Sequence, residues 1–86
     1  MGIDRSSLPR PLHYYSQVFG QLSRRTGWVK VKCLFHNDKV PSLGVNLDSG
    51  HFKCHACDAR GGDIIAFVMR LHDCDFKTAI QILEAA

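Results

Sequence analysis

The order of apolar and polar residues divides the chain into helix-like and strand-like segments. Near the N-terminus, apolar residues recur every three or four positions. These positions are Leu12, Tyr15, Phe19 and Leu22. Pro11 suits the first turn of a helix, so we predict an amphipathic helix over residues 11–22. Gly20 weakens this helix, and the polar stretch that follows ends it.

Strict alternation of apolar and polar residues begins at Trp28. One face of this first strand carries Trp28, Lys30 and Lys32, and the other carries Val29, Val31 and Cys33. Residues 43–47 and 51–54 alternate in the same way. The sequence between them, Asp48-Ser49-Gly50, is typical of a hairpin turn. The pattern therefore predicts three strands of an antiparallel sheet.

Two more helices are predicted towards the C-terminus. Residues 60–62, Arg-Gly-Gly, read as a loop. Asp63 is placed to cap a helix over residues 64–71, and Asp75 to cap another over residues 76–85. The side chains expected to face inwards are Ile64, Ile65, Phe67, Val68 and Leu71 in the first helix and Phe76, Ala79, Ile80 and Leu83 in the second.

Length and composition limit the class of protein. The chain has 86 residues and a formal net charge of +3, so we expect a flexible leader over residues 1–10 and a single domain over residues 11–86. Because the leader has no long apolar run, we expect neither a signal peptide nor a membrane span. We expect a cytoplasmic location, where thiols stay reduced. A domain this small commonly needs a metal or a disulfide.

Four metal-ligating residues form two pairs with the same spacing. Cys33 and His36 form one pair, and Cys54 and Cys57 form the other. Two ligands three positions apart on a tight turn can reach one ion, and the set of three cysteines and one histidine fills the tetrahedron of a structural zinc site. We therefore predict one structural Zn²⁺, whose binding contributes about 10–16 kcal/mol in small zinc fingers.

The cysteines and histidines have other possible roles. The cysteines could form disulfides, but Cys74 lies outside the paired pattern and no secretory signal is visible. Cys54-x-x-Cys57 could be a redox motif, but the surrounding βαβ pattern is missing. His51 and His55 could compete with His36 for the metal. His55 lies inside the second pair, where its side chain should point away from the ion.

The polar face of the sheet carries an aromatic residue among spaced cations. Such a surface can hold single-stranded nucleic acid, with phosphates on the cations and a base on the ring. A solvated strand face explains the same residues equally well. The candidate residues for binding nucleic acid are Trp28, Lys30, Lys32 and Lys53 on the strands and Lys39 and Arg60 on the flanking loops.

Beyond these patterns, the sequence resembles the zinc-binding domain of bacterial-type DNA primases, including plasmid- and phage-borne relatives. The resemblance extends over residues 28–85. Its motifs are residues 33–38, 41–46, 52–57 and 61–67. The Pro-Ser pair after the first ligand pair and the Gly-Gly-Asp-aliphatic stretch after the second make it specific.

The resemblance implies a small α+β zinc-bound domain, a zinc ribbon with an antiparallel sheet of three to five strands and helices packed on it. It also implies zinc bound by Cys33, His36, Cys54 and Cys57, template DNA on the sheet face, and a role in starting RNA primers. The sequence departs from the pattern of the family at five positions. Leu34 stands where Pro is common, Asp38 where Glu is common, and Leu43 where Phe is common. His55 stands in place of an aromatic residue, and Asp58 in place of Gly.

Primases polymerise with a separate catalytic domain whose clustered carboxylates bind magnesium, and this chain has no room for one. We therefore expect a non-enzymatic module that binds single-stranded DNA and serves a primase catalytic domain or another replication protein. It would be an excised domain or a small protein of a mobile element. The alternative is a zinc-ribbon adaptor that binds a replication or transcription protein through its two C-terminal helices.

Overall fold

The computed structural model describes residues 8–35 and 41–85. Within them lie helix α1 (Pro11–Phe19), strands β1 (Trp28–Val31), β2 (Leu43–Asn46), β3 (Phe52–Cys54) and β4 (Arg60–Gly61), and helices α2 (Ile64–His72) and α3 (Phe76–Ala85). The strands form one antiparallel sheet in the order β1-β2-β3-β4. This arrangement confirms the predicted α+β fold class and its antiparallel sheet.

Helix α1 starts as predicted and ends earlier. Pro11 occupies its first turn, where the missing N–H costs no hydrogen bond. The helix ends at Phe19 because Gly20 adopts a φ of 80° and donates its N–H to the Ser16 carbonyl oxygen at 2.9 Å. Glycine reaches a positive φ without steric cost. Leu22, which the pattern assigned to this helix, therefore lies beyond it.

Alternate residues of the strands lie on opposite faces of the sheet, as predicted. Val29 pairs with Val45, and Val45 pairs with Phe52. All three are buried, so this row defines the inner face, on which the helices pack. The residues between them in sequence lie on the outer face.

Strand β4 corrects the prediction of a loop over residues 60–62. Arg60 pairs with Lys53, and Gly61 pairs with Phe52. A Cβ atom on Gly61 would lie 2.6 Å from Phe52 Cε1 and 2.7 Å from Ala66 Cβ. Only glycine lets the Phe52 ring and helix α2 approach this edge together. A strand of two residues is too short to show alternation, which is why the sequence pattern missed it.

Aspartates set the ends of the C-terminal helices, as the sequence predicted for Asp63 and Asp75. Asp63 Oδ1 accepts the Ala66 N–H at 2.8 Å, and Asp75 Oδ1 accepts the Thr78 N–H at 2.8 Å. Helix α2 ends at Asp73, which adopts a left-handed φ of 51°. None of the described helices is long and apolar enough to cross a membrane.

Phe76 is the inward-facing prediction that the structure overturns. Its side chain is 44% exposed, whereas Ala79 and Leu83 of the same helix are buried. Phe76 is the first residue of α3. Side chains in a helix lean towards its N-terminus, and a residue of the first turn has no preceding turn of its own helix to cover it.

Phe67 of α2 is the centre of the core. Its ring makes edge contacts with the rings of both α1 and the sheet, at centroid distances of 5.2 Å to Tyr15 and 5.1 Å to Phe52. The Phe35 ring contacts it from the chain beyond β1 at 5.3 Å. Tyr15 also donates its hydroxyl to the Gly50 carbonyl oxygen at 2.7 Å. These contacts attach the helices to the inner face.

Candidate metal centre and nucleic-acid interface

Three cysteine sulfur atoms converge at one end of the sheet. Cys33 follows β1, Cys54 ends β3, and Cys57 lies in the turn after it. Their Sγ atoms all lie within 4.8 Å of one another, and those of Cys33 and Cys57 are 3.7 Å apart. A tetrahedral site with Zn–S bonds of about 2.3 Å has its sulfur atoms about 3.8 Å apart. The Cys33–Cys57 distance therefore matches a tetrahedral zinc site, and Cys54 Sγ lies close enough to join the same site.

Hydrogen-bonding groups surround these sulfur atoms. The Phe35 N–H donates to Cys33 Sγ at 3.4 Å, and Ser42 Oγ lies 3.4 Å from Cys54 Sγ. Donors of this kind stabilise a thiolate and orient a metal ligand. Sequence reasoning did not assign a role to Ser42. The available signal was the Pro41-Ser42 pair, which the sequence analysis noted only as part of the family resemblance.

The protonation of the cluster follows from its burial. Burial raises the pKa of the Cys33 thiol to about 12, and the neighbouring Cys54 and Cys57 thiols also raise it, while the Phe35 N–H lowers it. Zinc binds cysteine as thiolate. A zinc ion that enters the cluster must therefore displace the proton of this thiol, and binding releases protons.

The turn between Cys54 and Cys57 has a specific backbone conformation. Cys54 donates its N–H to the Ala59 carbonyl oxygen at 2.7 Å, and Asp58 donates its N–H to the Cys54 carbonyl oxygen at 3.2 Å. Asp58 adopts a φ of 66°, in the left-handed region. Glycine adopts this region without cost, and aspartate is among the few other residues that tolerate it. The turn brings Cys57 back towards Cys54.

The remaining cysteine and histidine predictions are placed as follows. His36 lies outside the described residues. His51 and His55 are exposed, and neither belongs to a metal-sized cluster within the described part of the chain. Cys74 lies apart from the other cysteines, with its Sγ 3.9 Å from the Val68 carbonyl oxygen. The Cys33 and Cys57 sulfur atoms are too far apart for a disulfide, whose S–S bond is about 2.0 Å.

The outer face of the sheet carries a row of cations that crosses all four strands. Lys30 pairs with Gly44, Gly44 pairs with Lys53, and Lys53 pairs with Arg60. Residues that pair directly lie on the same face. The three cationic side chains are exposed, and Trp28, 51% exposed, lies on the same face beside this row. We call these four side chains the outer-face cluster.

The structure thus brings four of the six candidate DNA-binding residues together. Arg60, predicted on a flanking loop, joins the cluster because β4 pairs with β3. Lys32 is exposed directly after β1. Lys39 lies outside the described residues.

A groove of about 720 Å³ runs beside α2 at the cysteine end of the domain. Leu34, 47% exposed, and Phe35 line it from the chain beyond β1, and Met69 lines it from α2. The guanidinium of Arg70 lies over the Phe35 ring, 5.7 Å from its centroid. Arg60 and Asp73 also line the groove, so its apolar floor has charged groups of both signs at its margin.

Comparison with known proteins identifies the family. Residues 16–86 match the CHC2 zinc finger family. Among curated proteins, the chain is 40% identical over 62 residues to the DNA primase of Mycobacterium tuberculosis, a match that covers 70% of this chain and 10% of the relative. It is 41% identical over 51 residues to the DNA primase of Borreliella burgdorferi, covering 59% of this chain and 10% of the relative.

The DNA primase of Mycoplasma genitalium is 43% identical over 49 residues, or 57% of this chain and 8% of the relative. The matched region thus spans about a tenth of the length of these curated relatives. The cysteine cluster and the zinc-ribbon topology agree with the family match. The chain belongs to the CHC2 zinc finger family, the zinc-binding domain of bacterial-type DNA primases.

Proposed function

We propose that Cys33, His36, Cys54 and Cys57 bind one structural zinc ion. The convergence of three sulfur atoms at zinc-like distances supports three of these ligands. The assignment of His36 rests on its sequence spacing from Cys33, which matches that of the cysteine pair. Four protein ligands leave no open coordination position, so the ion would hold the fold together and take no part in a reaction.

We further propose that the outer face of the sheet binds single-stranded DNA. The observation that carries this proposal is the row of Lys30, Lys53 and Arg60 across the sheet, with Trp28 exposed beside it. Cations spaced along a groove or face hold phosphates, and an exposed aromatic ring stacks on bases of any sequence. A solvated strand face needs neither an exposed tryptophan nor three aligned cations.

The biological role proposed for this module is template binding in primer synthesis. Relatives named DNA primase support this role, although the match covers only a tenth of their length. We propose that residues 11–86 act as one cytoplasmic domain that carries no catalytic centre of its own. The polymerising carboxylates would belong to a primase catalytic domain that acts on the same strand.

A second candidate function is that of a protein-binding adaptor. Two apolar side chains favour it, because Phe76 is 44% exposed at the start of α3 and Leu34 is 47% exposed beside the groove along α2. Exposed apolar patches often mark protein interfaces. This function would not require Trp28, Lys30 or Lys53, whereas Arg60 also lines the groove.

A salt titration of single-stranded DNA binding separates the two functions. Each cation that neutralises a phosphate of a single strand changes the slope of log K against log salt by about −0.7. Replacing Lys30, Lys53 and Arg60 by alanine should therefore flatten the slope by about 2. Zinc content and helix content should stay at the parental level, because the three side chains are exposed.

The matched control replaces Arg24, Arg25 and Lys77 by alanine, which removes the same charge from exposed positions outside the outer face. This variant should keep the parental affinity and slope. Equal slopes for the parent and both triple variants, or no binding by the parent at low salt, would overturn the DNA-binding proposal. The adaptor function would then become the leading candidate.

A further inference from the structure

The Trp28 side chain covers a glycine on the neighbouring strand. Trp28 pairs directly with Asn46, but its ring reaches diagonally across the outer face to Gly44. A Cβ atom on Gly44 would lie 3.4 Å from Trp28 Cε3 and 3.7 Å from Cζ3. The six-membered part of the indole therefore lies over Gly44, where a Cβ atom would just reach van der Waals contact with it.

Burial at this position supports the same contact. Gly44 belongs to the outer face, where its paired neighbours Lys30 and Lys53 are both exposed, yet Gly44 is buried. The indole of Trp28 lies directly over it. The Trp28 side chain nevertheless remains 51% exposed, so the ring covers Gly44 and still presents about half of its surface to solvent.

The absence of a branched side chain at position 44 permits this arrangement. Glycine inside a strand is normally unfavourable and often marks a place where another group approaches closely. An alanine Cβ would touch the ring at the near limit of contact. A β-branched side chain would add atoms in the space that the ring occupies, and it would lift the indole away from the sheet.

We propose that Gly44 is a positioning residue for DNA binding. Its lack of a side chain lets the Trp28 ring lie flat on the sheet, between Lys30 and Lys53, the two cations that pair with Gly44. This inference rests on the proposed binding of single-stranded DNA. One base stacks on the open face of the indole, and the adjoining phosphates meet Lys30 on one side and Lys53 on the other. These cations lie on β1 and β3, so the DNA strand crosses the β-strands and leads towards Arg60.

A double-mutant cycle between Gly44 and Trp28 tests the inference with oligo-dT at low salt. A stacked base contributes about 1–3 kcal/mol, which corresponds to roughly 5- to 150-fold in affinity. Gly44→Val should lower the affinity of the parent by at least about fivefold. In a Trp28→Ala background the same substitution should change affinity by less than about twofold, because no ring remains to be displaced.

Fluorescence provides a readout that does not depend on DNA, because Trp28 is the only tryptophan of the chain. Gly44→Val should increase quenching of its emission by acrylamide and lower its anisotropy in the free protein. The matched control is Gly62→Ala, since a Cβ atom there meets no neighbour closer than His51 Nε2 at 3.9 Å. This control should leave emission and affinity unchanged.

The outcomes separate the two proposals. If the parent does not bind DNA, the proposed function is wrong. If the parent binds DNA but Gly44→Val changes affinity equally in the parent and in Trp28→Ala, or in neither, only the role of Gly44 is overturned. If Gly44→Val loses zinc or its folded spectrum, Gly44→Thr, which is equally branched but suits an exposed sheet face, decides by the same cycle. We then expect a loss of at least about fivefold with Trp28 present and less than about twofold without it, and equal affinities with Trp28 present would overturn the inference.

Discussion

The two faces of the sheet are made from the same strands and perform different tasks. Phe52 and Lys53 are neighbours in β3, but Phe52 is buried against Phe67 and Lys53 is exposed beside Arg60. The inner face contributes stability through burial of apolar surface. The outer face contributes little to stability and carries the chemistry proposed for DNA. Substitution of Phe52 should therefore lower the free energy of unfolding, whereas substitution of Lys53 should weaken DNA binding.

The largest effect is expected at the cysteine cluster, on which both faces depend. Cys54→Ser should abolish zinc binding and unfold the sheet, because the free energy of zinc binding, about 10–16 kcal/mol, is also free energy of folding. Elemental analysis and circular dichroism measure the two losses. Cys74→Ser should keep the parental zinc content, since Cys74 lies outside the cluster. A parent that is folded without metal would contradict this prediction.

The inner face is tested by Phe52→Ala. Removing this buried ring leaves a cavity beside Phe67 and should lower the free energy of unfolding by about 3–5 kcal/mol. Denaturant unfolding of the zinc-loaded protein measures the change. A loss below about 1 kcal/mol would show that the aromatic core is less important than its burial indicates.

Tyr15→Phe tests the bond that attaches α1 to the β2–β3 turn. Loss of the hydroxyl leaves the Gly50 carbonyl oxygen without its 2.7 Å donor, and a buried polar group left in this way costs about 1–3 kcal/mol. Tyr14→Phe is the matched control, because it keeps this hydrogen bond. Urea unfolding at neutral pH should therefore show the larger loss in Tyr15→Phe.

Tyr15→Phe also tests how the free energy of unfolding depends on alkaline pH. Burial, together with Tyr14 and Asp63, raises the pKa of Tyr15 above its usual value, so the folded protein favours the neutral phenol. The resulting stability is complete below the usual tyrosine pKa of about 10 and is lost as the pH rises above it. Tyr15→Phe should lose stability less steeply than the parent above that pH, and identical slopes would contradict this assignment.

Lys53→Ala tests the outer face, and its result is compared with that of Phe52→Ala on the inner face of the same strand. The free energy of unfolding should change by less than about 0.5 kcal/mol, as for most exposed positions. The salt slope of single-stranded DNA binding should flatten by about 0.7, the contribution of one phosphate contact. A large loss of stability in this variant would show that the two faces are not separable.

The smallest effect is expected at Asp58, in the turn between two candidate ligands. Asp58 adopts a φ of 66°, which costs less for glycine than for any other residue. Asp58→Gly should raise the free energy of unfolding by about 0.5 kcal/mol, because glycine's greater freedom in the unfolded chain offsets part of the gain. Asp58→Ala should lower it, and both variants should keep their zinc content.

Local patterns of the sequence predicted most of the fold. Alternation from Trp28 onwards distinguished the two faces of the sheet, and the aspartate caps of α2 and α3 followed from side-chain chemistry at single positions. The spacing of Cys33, Cys54 and Cys57 likewise predicted which sulfur atoms would meet. The faces and the caps depend on residues that are close in sequence or on a period of two, and the meeting of the cysteines follows from their chemistry, since one ion needs both pairs.

The features that sequence reasoning missed depend on how segments meet. Strand β4 owes its existence to pairing with β3, and its two residues carry no period of their own. The contact between Trp28 and Gly44 depends on the register of β1 against β2, which no local pattern reveals. Phe76 fits the apolar period of α3, but its place at the helix start leaves it exposed.

Cys54 belongs at once to the sulfur cluster and to the hydrogen-bonded ladder of the sheet, where it pairs with Leu43. Sliding β3 by a single residue would exchange Phe52 and Lys53 between the faces, since side chains alternate with a period of two. A metal ion bound to Cys54 would forbid that slide, because the sulfur atom cannot move without leaving the ion. Zinc would then fix the alignment of β3, and with it which side chains of that strand face solvent.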